Sequence, residues 1–367
     1  MVRKATAERK INLVIKDKTM KGSKKMPTLK DVAIAADVSL STVSLVLSGK
    51  GKISDEIRNR VIKATAAVGY QKKNKVPKEN GKKLVGVIGT FYEEWSFTLD
   101  FTRRCLQFLE EHTLDIDCIP IMIPLFKETP RKELLNRILF SGVEAVFSLL
   151  FEDEKLFKNL EELGIPVVIV HNENLQNNFC TACSDNFQGT FDCAEYLIKL
   201  GHSRITFADF PRPRLRAIVA NRYYGFKKAV EENNLLFTPN DKITVELDDF
   251  SKLKKTVKQV FFGKDSPTAV VAHDDYMAYM VILALKEINL KVPDDISIIA
   301  PGDALDYSKE HYPQITTFQI DNDLVTKIAV DILQNRLRNK HGNIQVLKIK
   351  QHLVERGSCR QFAKKKK

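Results

Sequence analysis

The 367-residue chain is long enough for two or three domains with real cores, and its formal net charge is +12. The charge is uneven: residues 1–83 hold 21 Lys/Arg against 7 Asp/Glu, a net of +14, which leaves the remainder at −2, and residues 84–363, without the four terminal lysines, at −6. The N-terminal part therefore attracts a polyanion while the rest does not, and no stretch is apolar enough to span a membrane or reads as a secretory signal, which points away from a membrane or exported protein and towards the cytoplasm. The six cysteines are scattered, and the one Cys-x-x-Cys (Cys180, Cys183) has no second pair at zinc-ligand spacing. Reduced, mostly buried thiols are expected.

Residues 1–25 are basic and weakly patterned, and are expected to be disordered or untranslated. Lys21-Gly22 ahead of Met26 can be encoded by a purine-rich ribosome-binding sequence, which would put the true start at Met26. Residues 26–70 read as a head of three short helices. Thr28 with Asp31 three residues on is a capping pattern, and Leu29 to Ala36 follows with Val32, Ala33 and Ala36 on one face. Asp37-Val38 leaves room only for a tight turn. Ser39 caps a second helix that turns Val43, Val46 and Leu47 inward. Its outer side carries Leu40, Ser41, Thr42, Ser44 and Leu45, with no acid to repel phosphates. Gly49 to Lys52 is a loop, and Ser54 caps a third helix that buries Ile57, Val61, Ala64, Thr65 and Val68 and ends at Gly69. Two short helices with a tight turn and a supporting third form a helix-turn-helix. A generic three-helix core fits the pattern equally well.

Residues 71–83 form a linker with six lysines: Lys72, Lys73, Lys75, Lys78, Lys82 and Lys83. Pro77 pushes Val76 out of the helical region, and Asn80 and Gly81 disfavour helix. The body, 84–360, starts on the apolar run Leu84-Val85-Gly86-Val87-Ile88-Gly89. Buried parallel strands are expected at Asp117–Ile123, Val143–Leu150, Ile165–Val170, Arg204–Ala208, Thr268–Ala272 and Ile296–Ala300. Helical patterns fall near 97–111, 131–141, 154–163, 187–200, 216–233, 251–262, 275–289 and 323–338. That alternation predicts two doubly wound α/β lobes with a cleft between them, followed by a basic tail, 361–367.

Thr28-Leu29-Lys30-Asp31-Val32-Ala33, Val38-Ser39-Leu40-Ser41-Thr42-Val43-Ser44 and Gly69-Tyr70 resemble the DNA-binding head of the lac repressor/gal repressor family. The resemblance runs to about residue 358, through Ser184-Asp185-Asn186, Gly201-His202-Ser203-Arg204-Ile205, Arg222-Tyr223-Tyr224-Gly225-Phe226, Asp274-Asp275 and Val292-Pro293-Asp294-Asp295-Ile296-Ser297. It implies an all-α helix-turn-helix head on a bilobed, periplasmic-binding-protein-like body. It also implies a homodimeric, effector-controlled transcription regulator, a repressor by family habit, whose partners are a double-stranded DNA operator and a small molecule, a sugar before a purine or another polar metabolite. In the family the last helix crosses back to the first lobe, and the final strand, here near Val346 to Leu353, returns to the second. No cofactor or metal is implied.

On this footing the DNA-facing residues are Thr28, Ser39, Leu40, Ser41, Thr42, Ser44, Leu45, Ser54, Arg58, Tyr70, Lys72, Lys73 and Lys75. Family members commonly carry Arg or His where this chain has Leu45, and leucine cannot make the bidentate contact that identifies guanine. Contacts to thymine methyls are expected instead, unless Leu45 packs inside the head. The family's Ala-Arg-x-Leu hinge helix, whose leucine wedges into the minor groove, is missing, so the lysine linker is expected to track phosphates on nearly straight DNA. Open α/β sheets bind ligands beyond the carboxyl ends of their strands. There lie Trp95 and Phe97, Arg222, Phe250, Asp274 and Asp303. Arg222 sits at the family's position for a guanidinium that grips ligand hydroxyls or a carboxylate, and Asp274 at that of an acceptor. Phe250 and Trp95 are placed to stack on a sugar's apolar face. The plainer alternatives are a surface ion pair for Arg222 and packing for Trp95. Ala300-Pro301-Gly302-Asp303 lacks one of the family's two acids, and Glu94-Trp95-Ser96-Phe97 replaces its Asn-Pro-Phe-Phe, which leaves the ligand class open. A transport-type solute receptor would show a signal peptide and no head. An enzyme would show a metal cluster, a nucleophile elbow or a phosphate loop, and none is present.

Overall fold

The computed structural model describes residues 28–48, 53–68, 70, 82–90, 96–125, 129–211, 216–238, 241–246, 249–262, 266–302, 304–339 and 342–362. Residues 1–25, most of the linker and the final lysines lie outside these, so the expectations placed on them find no structural answer.

The head forms α1 (Leu29–Ala36), α2 (Leu40–Ser48) and α3 (Asp55–Ala67). Thr28 donates from both its backbone N–H and Oγ1 to Asp31 Oδ2, at 2.6 and 2.9 Å, and fixes the start of α1. Asp37 (φ 53°) supplies the left-handed turn that stops α1. Ser39 Oγ accepts from the Thr42 N–H at 3.0 Å and starts α2, and Ser54 Oγ does the same for Ile57 in α3 at 3.5 Å. Val32, Ala33, Ala36, Val43, Val46, Val61 and Ala64 close a small core, with Leu47, Ile57, Val68 and Tyr70 packed against it.

The body contains two six-stranded sheets. The first has order β11-β5-β4-β3-β1-β2 and the second β12-β10-β9-β8-β6-β7. Lobe 1 takes β1 (Lys83–Thr90), α4 (Ser96–Asp115), β2 (Cys118–Leu125), α5 (Arg131–Ser141), β3 (Ala145–Leu149), α6 (Glu154–Glu162), β4 (Val167–Val170) and β5 (Cys180–Ser184). The chain then crosses into lobe 2 with α7 (Asn186–Lys199), β6 (Ile205–Asp209), α8 (Arg216–Glu232), β7 (Lys242–Thr244), α9 (Phe250–Phe261), β8 (Ala269–Ala272), α10 (Asp275–Lys286), β9 (Ser297–Pro301) and β10 (Thr316–Gln319). It returns with α11 (Asn322–Arg338), whose Val325, Ala329, Ile332 and Leu333 share a core with Val85, Val87 and Phe147 of lobe 1. All pairings are parallel except that of the last strand.

The final segment corrects one expectation. Val346 to Leu353 is two strands, one for each lobe. β11 (Val346–Ile349) pairs parallel with β5, and β12 (His352–Val354) pairs antiparallel with β10. Lys350 and Gln351 carry the chain across, and the Gln351 amide Nε2 donates to the Asp185 carbonyl on the first crossover. Strands β5, β7 and β10 also went unanticipated. Their sequences, CTACS, KIT and TTFQ, carry no apolar run, and β5 is buried on the strength of its neighbours rather than its own hydropathy.

Helices α7 and α8 pack closely because Gly225 faces Phe187. A Cβ on Gly225 would run into the Phe187 carbonyl oxygen, a backbone atom that cannot rotate away. This accounts for the glycine three residues after Arg222: it brings α8 near enough to α7 for the arginine to reach Asn186. Gly225→Ala is expected to cost about 1–3 kcal/mol by overpacking. The check is the lowest-temperature transition in a calorimetric scan of the full chain, and a wild-type trace would mean the helices can part at no cost.

Candidate functional site: an uncharged helix face and a buried polar seam

The head presents one face of α2 to solvent. Leu40 is 51% and Leu45 38% exposed, and Ser41 and Ser44 are exposed between them. At 100° per residue these four fall within one arc, opposite the buried Val43 and Val46. Leu45 therefore does not pack inside the head. The nine residues of α2 include no charged side chain. Ser39 Oγ also contacts the hydroxyls of Ser41 and Thr42, at 2.7 and 2.8 Å, and forms a small hydroxyl cluster at the start of the helix.

Two further residues expected at DNA are buried or half-buried. Arg58 is only 6% exposed, and its Nε and Nη1 meet no hydrogen-bond acceptor. It shares a face of α3 with Ile62, which packs on a lobe 1 core. Tyr70 is half-buried against the head core, and its N–H donates to the Thr65 carbonyl. Lys72, Lys73 and Lys75 lie outside the described residues.

One set of the body's buried polar groups lies where the lobes meet. Arg222 on α8 is 7% exposed, which overturns a surface ion pair. Its Nε donates to Asn186 Oδ1 at 2.9 Å and its Nη1 to the His273 carbonyl at 2.7 Å. Burial pulls its pKa down, while Asp274, Asp275 and Glu173 pull it back up. Asp274 lies two residues beyond β8 and caps α10, with Oδ1 accepting from the Met277 N–H. Asp275 is fully buried and accepts from the Leu305 N–H at 2.8 Å and the Tyr307 hydroxyl at 3.2 Å. Phe250 opens α9 and packs against the lobe 2 core. Trp95, Asp303 and the Phe97 side chain lie outside what is described.

Sequence reasoning passed over the loop that follows β4: His171, Asn172 and Glu173 are all buried. The signal was present, since three polar residues directly follow a fully apolar strand at its carboxyl end. Glu173 is 1% exposed and receives Asn186 Nδ2 at 2.7 Å, Asn221 Nδ2 at 2.9 Å and Lys348 Nζ at 2.6 Å. Burial pulls the Lys348 ammonium down, but the hydrogen bond and charge of Glu173 outweigh it and leave its pKa raised. His171 packs edge-on against Phe101, and its Nε2 has no hydrogen-bond partner. Two depressions, of about 360 and 380 Å³, are lined by residues outside this seam, among them Tyr223 with Lys242 and Glu161 with Arg336.

Burial, helped by the Arg222 charge, drives the His171 pKa from 6.5 to about 3, so the ring is neutral in the folded protein. Between those two pH values the unfolded chain binds the extra proton. Stability is therefore full above pH 6.5 and falls as pH falls, by about 1.4 kcal/mol per pH unit for the group. His171→Gln should flatten the loss of stability between pH 6.5 and 4 in urea titrations. An unchanged acid limb would mean that His171 does not reach its buried position.

A helix-turn-helix with an uncharged outer face, carried on two α/β lobes with a polar seam, defines a DNA-binding protein with a periplasmic-binding-protein-like body. The chain carries the DNA-binding head of the lacI family of bacterial regulatory proteins and is homologous to regulators of that type. The model of that family matches residues 28–73, and that of a periplasmic binding protein-like domain matches residues 194–359. Among curated relatives, the HTH-type transcriptional repressor PurR of Klebsiella pneumoniae (strain 342) is 28% identical over 339 residues, covering 91% of this chain and 97% of that one. Among solved structures, the transcriptional regulator CelR–cellobiose complex superposes with a TM-score of 0.63 at 20% identity, covering 90% of this chain and 99% of that one. The lac repressor dimer bound to operator and the anti-inducer ONPF superposes at 0.61 and 21% identity, covering 91% and 99%. Among the described residues no cluster of His, Cys, Asp or Glu could hold a metal ion, and no helix is long and apolar enough to cross a membrane. The thiols of Cys105, Cys118, Cys180, Cys183, Cys193 and Cys359 are free, and all but Cys359 are buried.

Proposed function

We propose that this chain is a sequence-specific repressor, not an enzyme, that works in the cytoplasm as a homodimer and is controlled by a small polyhydroxylated molecule, a sugar, bound in the seam between the lobes. The observation that carries this reading is the buried guanidinium of Arg222, held by two neutral acceptors among the carboxylates of Asp274, Asp275 and Glu173. Buried donors and acceptors of both kinds suit a ligand rich in hydroxyls, which gives and takes hydrogen bonds. The cellobiose in the CelR complex supports the same class. Two heads related by a two-fold axis would read half-sites about one helical turn apart.

Selection of genomic fragments on the purified full chain tests the reading. A shared, two-fold symmetric motif next to genes of sugar uptake or breakdown is expected, and binding without a shared motif would sink it. The lysine linker tracks phosphates on this reading, so each lysine contact removed should lower the log–log salt slope by roughly 0.9. Circular-permutation gels should show nearly straight DNA. A strong bend that vanishes in Val76→Ser would instead reveal a wedge.

A further inference from the structure

Glu173 stands where four elements of the two lobes converge. It lies in lobe 1, on the loop after β4, and its Oε2 takes Lys348 Nζ from β11 of the same lobe. The same oxygen takes Asn221 Nδ2 from α8, and Oε1 takes Asn186 Nδ2 from the start of α7, both in lobe 2. Asn186 passes the contact on, because its Oδ1 accepts from Arg222 Nε. The next residue repeats the pattern. Asn174 Nδ2 donates to Glu152 in lobe 1, and its Oδ1 accepts from the Ala217 N–H in the first turn of α8. Two consecutive side chains of one loop thus hold α8 at its first turn and at the residue beside Arg222.

We propose that Glu173, with Asn174, is a clasp that ties the lobes together through α8 and positions the Arg222 guanidinium. Three donors converge on the Glu173 carboxylate. Two oxygens with four lone-pair sites accept all of them, and Asn186 is thereby oriented with its amide nitrogen towards Glu173 and its oxygen towards Arg222. A glutamine of the same shape offers one acceptor oxygen and turns an NH2 group against donors. Parting the lobes would break Asn221–Glu173 and Ala217–Asn174 while leaving Lys348–Glu173 intact, since the latter lies within lobe 1. Loss of the clasp therefore differs in its location from general loss of stability.

The test is amide hydrogen exchange on the full chain, read peptide by peptide, for wild type, Glu173→Gln, Glu173→Gln/Lys348→Met and Asn221→Ala. Glu173→Gln alone leaves an unpaired Lys348 and should lower the melting temperature. The double variant removes that ammonium and should recover the melting temperature. With the clasp broken, peptides covering 172–175 and 216–222 should exchange at least tenfold faster in the double variant and in Asn221→Ala, while β4 and β6 stay as in wild type. The Arg222 Nε–H resonance, assigned through Arg222→Lys, should exchange faster in the double variant as well. Wild-type exchange at 216–222 in the double variant, or acceleration spread evenly over both lobes, would overturn the proposal. No effector enters the experiment, so its outcome does not depend on what the seam binds.

Discussion

Arg222→Ala should leave operator binding within about twofold of wild type and weaken the effector by roughly 100-fold. A charge-assisted hydrogen bond inside a desolvated site contributes about 1.5–3 kcal/mol, so two such bonds to ligand hydroxyls reach that range. The substitution also removes the positive charge that faces Asp274, Asp275 and Glu173, and with it the donors that hold Asn186 Oδ1 and the His273 carbonyl. Arg222→Lys separates these effects. It keeps the charge but loses the planar fork, and should retain only part of the affinity. Isothermal titration with the effector found from the selected genes reads both variants. Equal affinity in wild type and Arg222→Ala would move the effector site away from the seam.

The second large effect belongs to the head. Leu45→Arg should change which base pairs are selected at one position of each half-site, by about 1–3 kcal/mol of discrimination. Leu40 and Leu45 are exposed on the outer face of a helix without charge, so the wild-type face offers methyl contacts and hydroxyls but no guanidinium fork. Thymine has a methyl group in the major groove that uracil lacks. Replacing thymine by deoxyuridine in the half-site should weaken the wild type and spare Leu45→Arg. Identical selection profiles for the two proteins would show that Leu45 does not face the bases.

These two sites were legible in the sequence to different depths. Short-range signals survive well: Thr28 with Asp31, the Ser39 cap, the inward Val43 and Val46 and the outward Leu40 and Leu45 all stand as read, because capping and helical phase are local. Arg222 could be named from its motif, but not its partners. Asn186, His273 and Glu173 lie 36, 51 and 49 positions from it, and only the packing of α7 on α8 and the folding of the β4 loop onto both bring them together. Burial of Arg58 was not legible, because a helix surface residue reads as exposed until its neighbours in space are known, and Ile62 on the same face packs on a lobe 1 core. The split of β11 from β12 was hidden for a similar reason: a strand that changes sheets has the same alternation as one that continues.

The most direct test of a DNA-binding regulator controlled through its seam is reciprocal linkage, measured at fixed salt on one selected operator. Operator affinity is titrated without and with saturating effector, and effector affinity without and with operator. The two ratios should be equal, between about 5- and 150-fold. An effector that binds tightly yet leaves operator affinity unchanged would contradict control of DNA binding through the seam.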